Sequence, residues 1–198
     1  MLPESLAGAS CVYHGVRFDV YELEGTKPDG TAWRKQVVSH PGAVVVLPLL
    51  DERPGREMVA MIRNERFAVG KTLWELPAGT LEPGEPPARC AARELTEETG
   101  YEASTIEALT DFYTSPGICT ERMWAFVATD LSQVGQNLDP TERITVEVLG
   151  LDRTMQLLAQ GQVQDAKTIA TLLYYRTFGR KSEIRNSKSD GLGSCAAD

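Results

Sequence analysis

Along residues 12 to 23 the side chains alternate: Val12, His14, Val16, Phe18 and Val20 occupy one set of positions, with Tyr13, Arg17, Asp19 and Tyr21 between them. A repeat of two is strand periodicity, because successive side chains of an extended chain point to opposite faces. Lys27-Pro28-Asp29-Gly30 carries turn-forming residues, so the first forty residues read as a β hairpin whose second arm covers roughly Thr31 to Ser39. Two more strands are expected at Ala43 to Leu49 and Met58 to Arg63, on either side of the polar loop Asp51 to Arg56 with its Pro54-Gly55. The apolar run Val44 to Leu50 reads as a buried strand.

The period changes after Pro86-Pro87. Proline suits the first turn of a helix, Ala88 to Thr99 holds good helix formers, and Gly100 stands where a left-handed cap would end it. Short strands are expected near Ile106 to Tyr113, Met123 to Ala128 and Ile144 to Leu149. Helices are expected over Asp152 to Gln160 and Ala166 to Phe178, the second with Ile169, Leu172 and Leu173 facing inward. From Arg180 onward the composition turns to Ser, Lys, Asn, Asp, Gly and Ala, which predicts a disordered tail over 180–198. With no internal repeat and no linker, the order of elements predicts an α/β (α+β mixed) domain, a mixed sheet with helices on its faces.

Composition narrows the function. The chain has 198 residues, is 42% hydrophobic, and carries 20 Lys and Arg against 28 Asp and Glu, a net charge of -8. That excludes a collagen-like, coiled-coil or wholly disordered chain, and its field opposes sequence-independent nucleic-acid binding. A small anionic substrate remains open to it, given local arginines or a bound cation. The longest apolar run is about a third of the roughly 20 residues that span a bilayer, so no membrane contact is expected. Cys11, Cys90, Cys119 and Cys195 form no CxxC pair, and no basic residue precedes an apolar run at the N-terminus. Reduced thiols and a cytoplasmic location follow as expectations.

The chemistry concentrates between Gly79 and Tyr101, which read Gly79-x5-Glu85-x7-Arg93-Glu94-Leu95-Thr96-Glu97-Glu98-Thr99-Gly100-Tyr101. Seven specified residues at fixed spacing arise by chance on the order of once in several million. Glu94, Glu97 and Glu98 are three and four residues apart, so they fall near one helical face and repel one another. Divalent cations would relieve that repulsion. Magnesium takes oxygen ligands, uses one or two carboxylates, and completes its shell with water and substrate phosphate. Such ions clamp a diphosphate and activate water for attack on phosphorus. Arg93 is placed to pair with Glu97 one turn along and to orient carboxylates.

Gly79 to Tyr101 resembles, at every specified position, the signature of the Nudix hydrolases, which cleave nucleoside diphosphates linked to another group. The resemblance implies a Nudix α/β/α sandwich around a mixed sheet, here at 41–179, with residues 1–40 as an N-terminal antiparallel β extension. Trp74-Glu75-Leu76-Pro77-Ala78-Gly79, Ser115-Pro116-Gly117 and Asp165-Ala166-Lys167-Thr168 look like the ADP-ribose pyrophosphatase branch. It implies hydrolysis of ADP-ribose to AMP and ribose 5-phosphate with Mg2+, or Mn2+, as cofactor. A hydrolase of another nucleoside diphosphate sugar or dinucleotide, and a non-catalytic ligand sensor, are the alternatives.

By the same resemblance the metal ligands are Glu94 and Glu98, with Glu97 in support and the backbone carbonyl of Ala78 as a further oxygen; Glu85 belongs to the same network. The general base lies on the loop Asn137 to Arg143. Glu142 is the choice there, and Glu147, in the strand that follows, is the runner-up. Arg63 matches a phosphate-binding arginine, Arg34 or Lys35 a basic residue from the N-terminal sheet, and Glu121 a position near ribose or metal. Pro116 forms a rigid turn beside the metals, while Tyr13, Phe18, Trp33 and Phe67 are candidates to stack on adenine. A homodimer is expected, its N-terminal strands completing the partner's site.

Overall fold

The computed structural model describes residues 6–179. Its centre is β4 (Ala43–Asp51), flanked on one edge by β9 (Arg122–Gln133) in parallel. On its other edge lie β7 (Ala78–Thr80) and β5 (Met58–Arg66), both antiparallel. The sheet runs β10 (Ile144–Gly150), β5, β4, β9, β8 (Tyr101–Tyr113), and β6 (Lys71–Glu75) pairs with β5. Strand β4 is apolar from Ala43 to Leu49, where both of its faces are covered. Ala43, Val45, Leu47 and Leu49 enter a core with Met61, Leu76, Leu151 and Leu172. Val44 and Val46 enter another with Cys90, Ala91, Leu95 and Phe126. The first core lies under α2 (Leu151–Ala159) and α3 (Ala166–Phe178), the second under α1 (Pro87–Thr99). This is the expected α/β/α sandwich. Each fully buried leucine in it, such as Leu47 or Leu95, contributes about 1.5–3 kcal/mol.

The N-terminal region is a separate antiparallel sheet of three strands, β1 (Ser10–His14), β2 (Asp19–Thr26) and β3 (Ala32–Ser39). The expected single strand over 12–23 is broken at Gly15–Phe18, so the hairpin becomes a meander in which Cys11 faces Tyr21 and His14 faces Asp19. Gly15 marks the reversal: a Cβ there would lie 2.5 Å from the Phe18 carbonyl oxygen. Its N–H donates to Asp19 Oδ1 at 3.3 Å, and Val16 sits fully exposed at the tip.

Strands β6 and β7 are too short to show a period and were not expected. Strands β8 and β9 run well past their expected bounds, shielding α1 and β4. On α3 the inward stripe is Thr168, Thr171 and Leu172, while Leu173, about 100° further round the helix, is exposed instead of inward. The tail at 180–198 and Cys195 lie outside the described residues.

Candidate active site

Helix α1 starts at a proline and ends at Gly100, whose φ of 72° is left-handed, with its N–H donating to the Thr96 carbonyl. Glycine is required there for a second reason. A Cβ would meet Gln136 N at 2.7 Å and Gly135 C at 2.8 Å, backbone that cannot yield. The segment after β9 is clasped to this helix end. Val134 N and Gly135 N donate to the Gly100 carbonyl, Asn137 N to Glu97 O at 3.0 Å, and Gln136 Nε2 to Glu98 O at 2.6 Å. Carbonyls that a helix terminus leaves unpaired thus hold the loop that carries Glu142.

With Cys90, Ala91 and Leu95 anchoring α1 to the core, Glu94 and Glu98 face Ala78-Gly79 at the start of β7. Glu98 Oε2 accepts the Ala78 N–H at 2.8 Å. Glu94 lies so close over Gly79 that a Cβ there would be 1.9 Å from its carboxyl carbon, which explains the glycine at the head of the signature. Behind them Arg93 Nε and Nη2 donate to the two oxygens of Glu85, each at 3.0 Å. Its Nη1 donates to Glu94 at 2.7 Å and Glu97 at 3.1 Å.

These contacts set the charges. Arg93 holds Glu85 down to about 2. Glu98, only 3% exposed, is pushed up to about 8, first by burial and then by Glu94 and Glu142; the Ala78 N–H and Arg66 work against the rise. Glu94 is also raised, chiefly by burial, with Arg93 opposing and Glu97 and Glu142 adding to it. The Cys90 thiol, pushed up to about 12 by burial, is a packing group.

The two carboxylates open into a cavity of about 470 Å3 that Ala78, Glu121 and Glu142 also line. Glu121 is fixed there by the Thr114 hydroxyl at 2.6 Å, and Glu142 caps its own loop by accepting the Asp139 N–H at 3.1 Å. Glu97 and Arg93 stand outside the cavity wall. Glu147, exposed on β10 opposite Met61, does not reach it.

Arg63 is not a wall residue either. Its parity on β5 is that of Met61, so it points to the other face, where its guanidinium lies 4.7 Å from the Trp74 ring. Arg66, of opposite parity, lines the cavity with Arg17 and Lys167. Arg34 is paired with Glu22 and Glu24 on the N-terminal sheet, and Lys35 lies over Trp33; neither lines the carboxylate cavity or the one that holds Pro116. Pro116 belongs to a neighbouring cavity of about 1040 Å3 that shares Arg17 and is also walled by Phe18, Tyr21, Tyr113 and Trp124. Phe67 is almost fully exposed.

The sequence reading missed Arg17, Arg66, Lys167 and the buried Glu75 that joins the last two. Glu75 accepts Arg66 Nε at 2.8 Å and Nη2 at 2.6 Å, and Lys167 Nζ at 2.7 Å. Lys167 lies within the Asp165 to Thr168 motif and Glu75 within Trp74 to Gly79, the legible signals of this group.

Among the described residues no three His, Cys, Asp or Glu side chains converge as a closed metal cage. The donors present still fit a hard divalent cation. Two carboxylates face one cavity, both are destabilised as anions by burial and by neighbouring glutamates, and a magnesium ion needs only one or two of them.

Comparison with known proteins agrees with this geometry. The NUDIX domain family model matches residues 39–172, and the chain belongs to the Nudix family. An ADP-ribose pyrophosphatase of Bacillus subtilis (strain 168) is 37% identical over 175 residues, 87% of this chain and 92% of that one. An ADP-ribose pyrophosphatase of Mycobacterium tuberculosis is 42% identical over 126 residues, 63% of this chain and 59% of its own length. A GDP-mannose pyrophosphatase of Klebsiella pneumoniae is 33% identical over 181 residues, 86% of this chain and 88% of that one. A crystal structure of an ADP compounds hydrolase superposes with a TM-score of 0.74 at 21% identity, over 88% of this chain and 92% of that one, which establishes the fold.

Proposed function

We propose that this protein hydrolyses the diphosphate bond of ADP-ribose to AMP and ribose 5-phosphate with a divalent metal, Mg2+ or alternatively Mn2+. The observation that carries the chemistry is one cavity lined both by the signature carboxylates Glu94 and Glu98 and by the cations Arg17, Arg66 and Lys167. The relative from Bacillus subtilis, similar along most of both chains, supports the substrate.

Glu94, Glu98 and the Ala78 carbonyl would hold the metal, with Glu97 and Arg93 keeping Glu94 in place. When bound, the ion neutralises diphosphate charge and makes water a better nucleophile. Glu142 takes the proton from the attacking water, a role worth about 10² to 10⁴ in rate. Arg66 takes the phosphate-binding part foreseen for Arg63, with Lys167 and Arg17 beside it. The adjoining cavity, with Pro116 and its aromatic wall, receives the nucleoside, and Glu121 lies toward the ribose. Arg34 and Lys35 reach substrate from a second copy, so the working enzyme is a cytoplasmic homodimer joined through its N-terminal sheets.

The similarity to a GDP-mannose pyrophosphatase favours a second reading, hydrolysis of another nucleoside diphosphate sugar. A turnover screen of ADP-ribose, GDP-mannose and dinucleotides with Mg2+ and with Mn2+ separates the two. ADP-ribose is expected to be the most efficient substrate. Turnover at least a hundredfold less efficient than that of GDP-mannose would overturn the substrate.

A further inference from the structure

The cationic wall of the cavity comes from parts of the chain that are far apart in sequence. Arg66 ends β5 and Lys167 lies in the first turn of α3. What joins them is Glu75, the last residue of β6, whose side chain is 1% exposed. One of its oxygens is shared by Arg66 Nη2 and Lys167 Nζ; the other accepts Arg66 Nε. Asp165 completes the arrangement: one oxygen caps α3 through the Thr168 N–H at 2.9 Å, the other accepts Lys167 Nζ at 2.8 Å. The buried Thr168 hydroxyl in turn accepts the Leu76 N–H at 2.9 Å, tying α3 to the residue next to Glu75.

The two cations are not consumed by this network. Arg66 uses Nε and Nη2, leaving Nη1 without an acceptor among the described residues, and Lys167 has two acceptors for three N–H donors. Both residues line the cavity. A long, rotamer-rich lysine loses conformational entropy when it binds an anion; one already held by two carboxylates has lost it beforehand.

We propose that Glu75 and Asp165 are positioning residues that hold Lys167 and Arg66 as a preformed clamp for the diphosphate of the substrate. Glu75 is buried behind the cavity wall, and Asp165, which lines the cavity, has both oxygens committed to Lys167 Nζ and the Thr168 N–H. Each acts through the cation it fixes, and the proposal rests on the reading of this cavity as a diphosphate site. It also accounts for the Asp165-Ala166-Lys167-Thr168 motif. Asp165 and Thr168 fix the start of the helix, and Lys167 is the residue they present.

The test uses Glu75→Gln, Asp165→Asn and Lys167→Met in the full chain. Asparagine caps a helix as well as aspartate does, so Asp165→Asn keeps α3 while weakening the hold on Lys167. Two readouts are taken: kcat and KM for ADP-ribose with Mg2+, and the affinity for inorganic pyrophosphate in EDTA, where no turnover occurs. Glu75→Gln and Lys167→Met are expected to raise KM on the order of tenfold with kcat little changed, the signature of lost uniform binding. Asp165→Asn should raise it by about threefold, and pyrophosphate affinity should fall in the same order. In the Lys167→Met background Asp165→Asn should add nothing, because it acts through that lysine.

A purely structural role would lower the amount of folded enzyme and hence the maximal rate, leaving KM and pyrophosphate affinity as in the wild type; that result would overturn the proposal. If Glu75→Gln does not fold, unchanged KM and pyrophosphate affinity in Asp165→Asn overturn it equally. Should the wild type fail to turn over ADP-ribose while pyrophosphate affinity still falls across the variants, the substrate reading fails and the clamp stands.

Discussion

The two walls of the cavity balance charge in opposite ways. On the α1 side, Arg93 is the guanidinium that serves Glu85, Glu94 and Glu97, while the Glu98 carboxylate accepts, among the described residues, the Ala78 N–H alone. On the α3 side, Glu75 and Asp165 are matched one for one by Arg66 and Lys167. The first wall has excess negative charge in a partly dry place and is complete only with cations from solution; the second is complete by itself. A site for a metal-bound diphosphate calls for both: one surface short of positive charge, and one with donors fixed in advance.

The difference is broken most severely from the acidic side. Glu98→Gln or Glu94→Gln removes one charge at nearly constant shape and is expected to lower kcat by about 10³ or more at saturating Mg2+; steady-state kinetics read this directly. Next comes the loop clasped to the end of α1. Glu142→Gln should cost about 10² to 10⁴ in kcat with KM retained, whereas Glu147→Gln should stay near wild type. The reverse pattern would move the base to β10. Gly79→Ala should cost about 10² in rate, because its methyl group displaces the Glu94 carboxylate, while the fold persists.

A smaller effect lies in the pH dependence of stability. Glu98 has its folded pKa raised to about 8, above the roughly 4.3 of an unfolded glutamate. Between those values the metal-free folded state binds the extra proton, so this contribution to stability is complete below about pH 4 and lost as pH rises through 8. In EDTA, melting temperature should therefore fall between pH 5.5 and 8.5, and less so in Glu98→Gln. Added Mg2+ should stabilise the wild type more at pH 8 than at pH 6. The least effect belongs to Arg63→Ala, whose KM should match the wild type because that side chain points away from the cavity.

The same contrast governs what was legible in the sequence. The acidic wall lies in one helix and the turn before it, so spacing alone brought Glu94, Glu97 and Glu98 together and gave Gly100 its role. Strand β4 was equally plain, since a continuous apolar run fits a strand covered on both faces. The cationic wall joins residues 66, 75, 165 and 167, and no local period marks them. Arg63 is off the cavity wall on one point of strand parity: β5 runs three residues past its expected end at Arg63, and Arg66 is the residue on the cavity face. The break at Gly15 was hidden by an alternation that runs through the turn as if the strand continued. Gly79 was visible as a signature residue, but the reason for it, the Glu94 carboxylate resting on its Cα, exists only in three dimensions.

Glu94 and Glu98 of α1 would hold the divalent metal, and the water that cleaves a nucleoside diphosphate sugar is then expected to attack phosphorus. Hydrolysis of ADP-ribose in 18O-labelled water with saturating Mg2+, followed by mass analysis of both products, tests it most directly. One 18O atom is expected in the phosphate of AMP or of ribose 5-phosphate, with no turnover in EDTA. Label in a sugar hydroxyl, or undiminished turnover without divalent metal, would contradict the account.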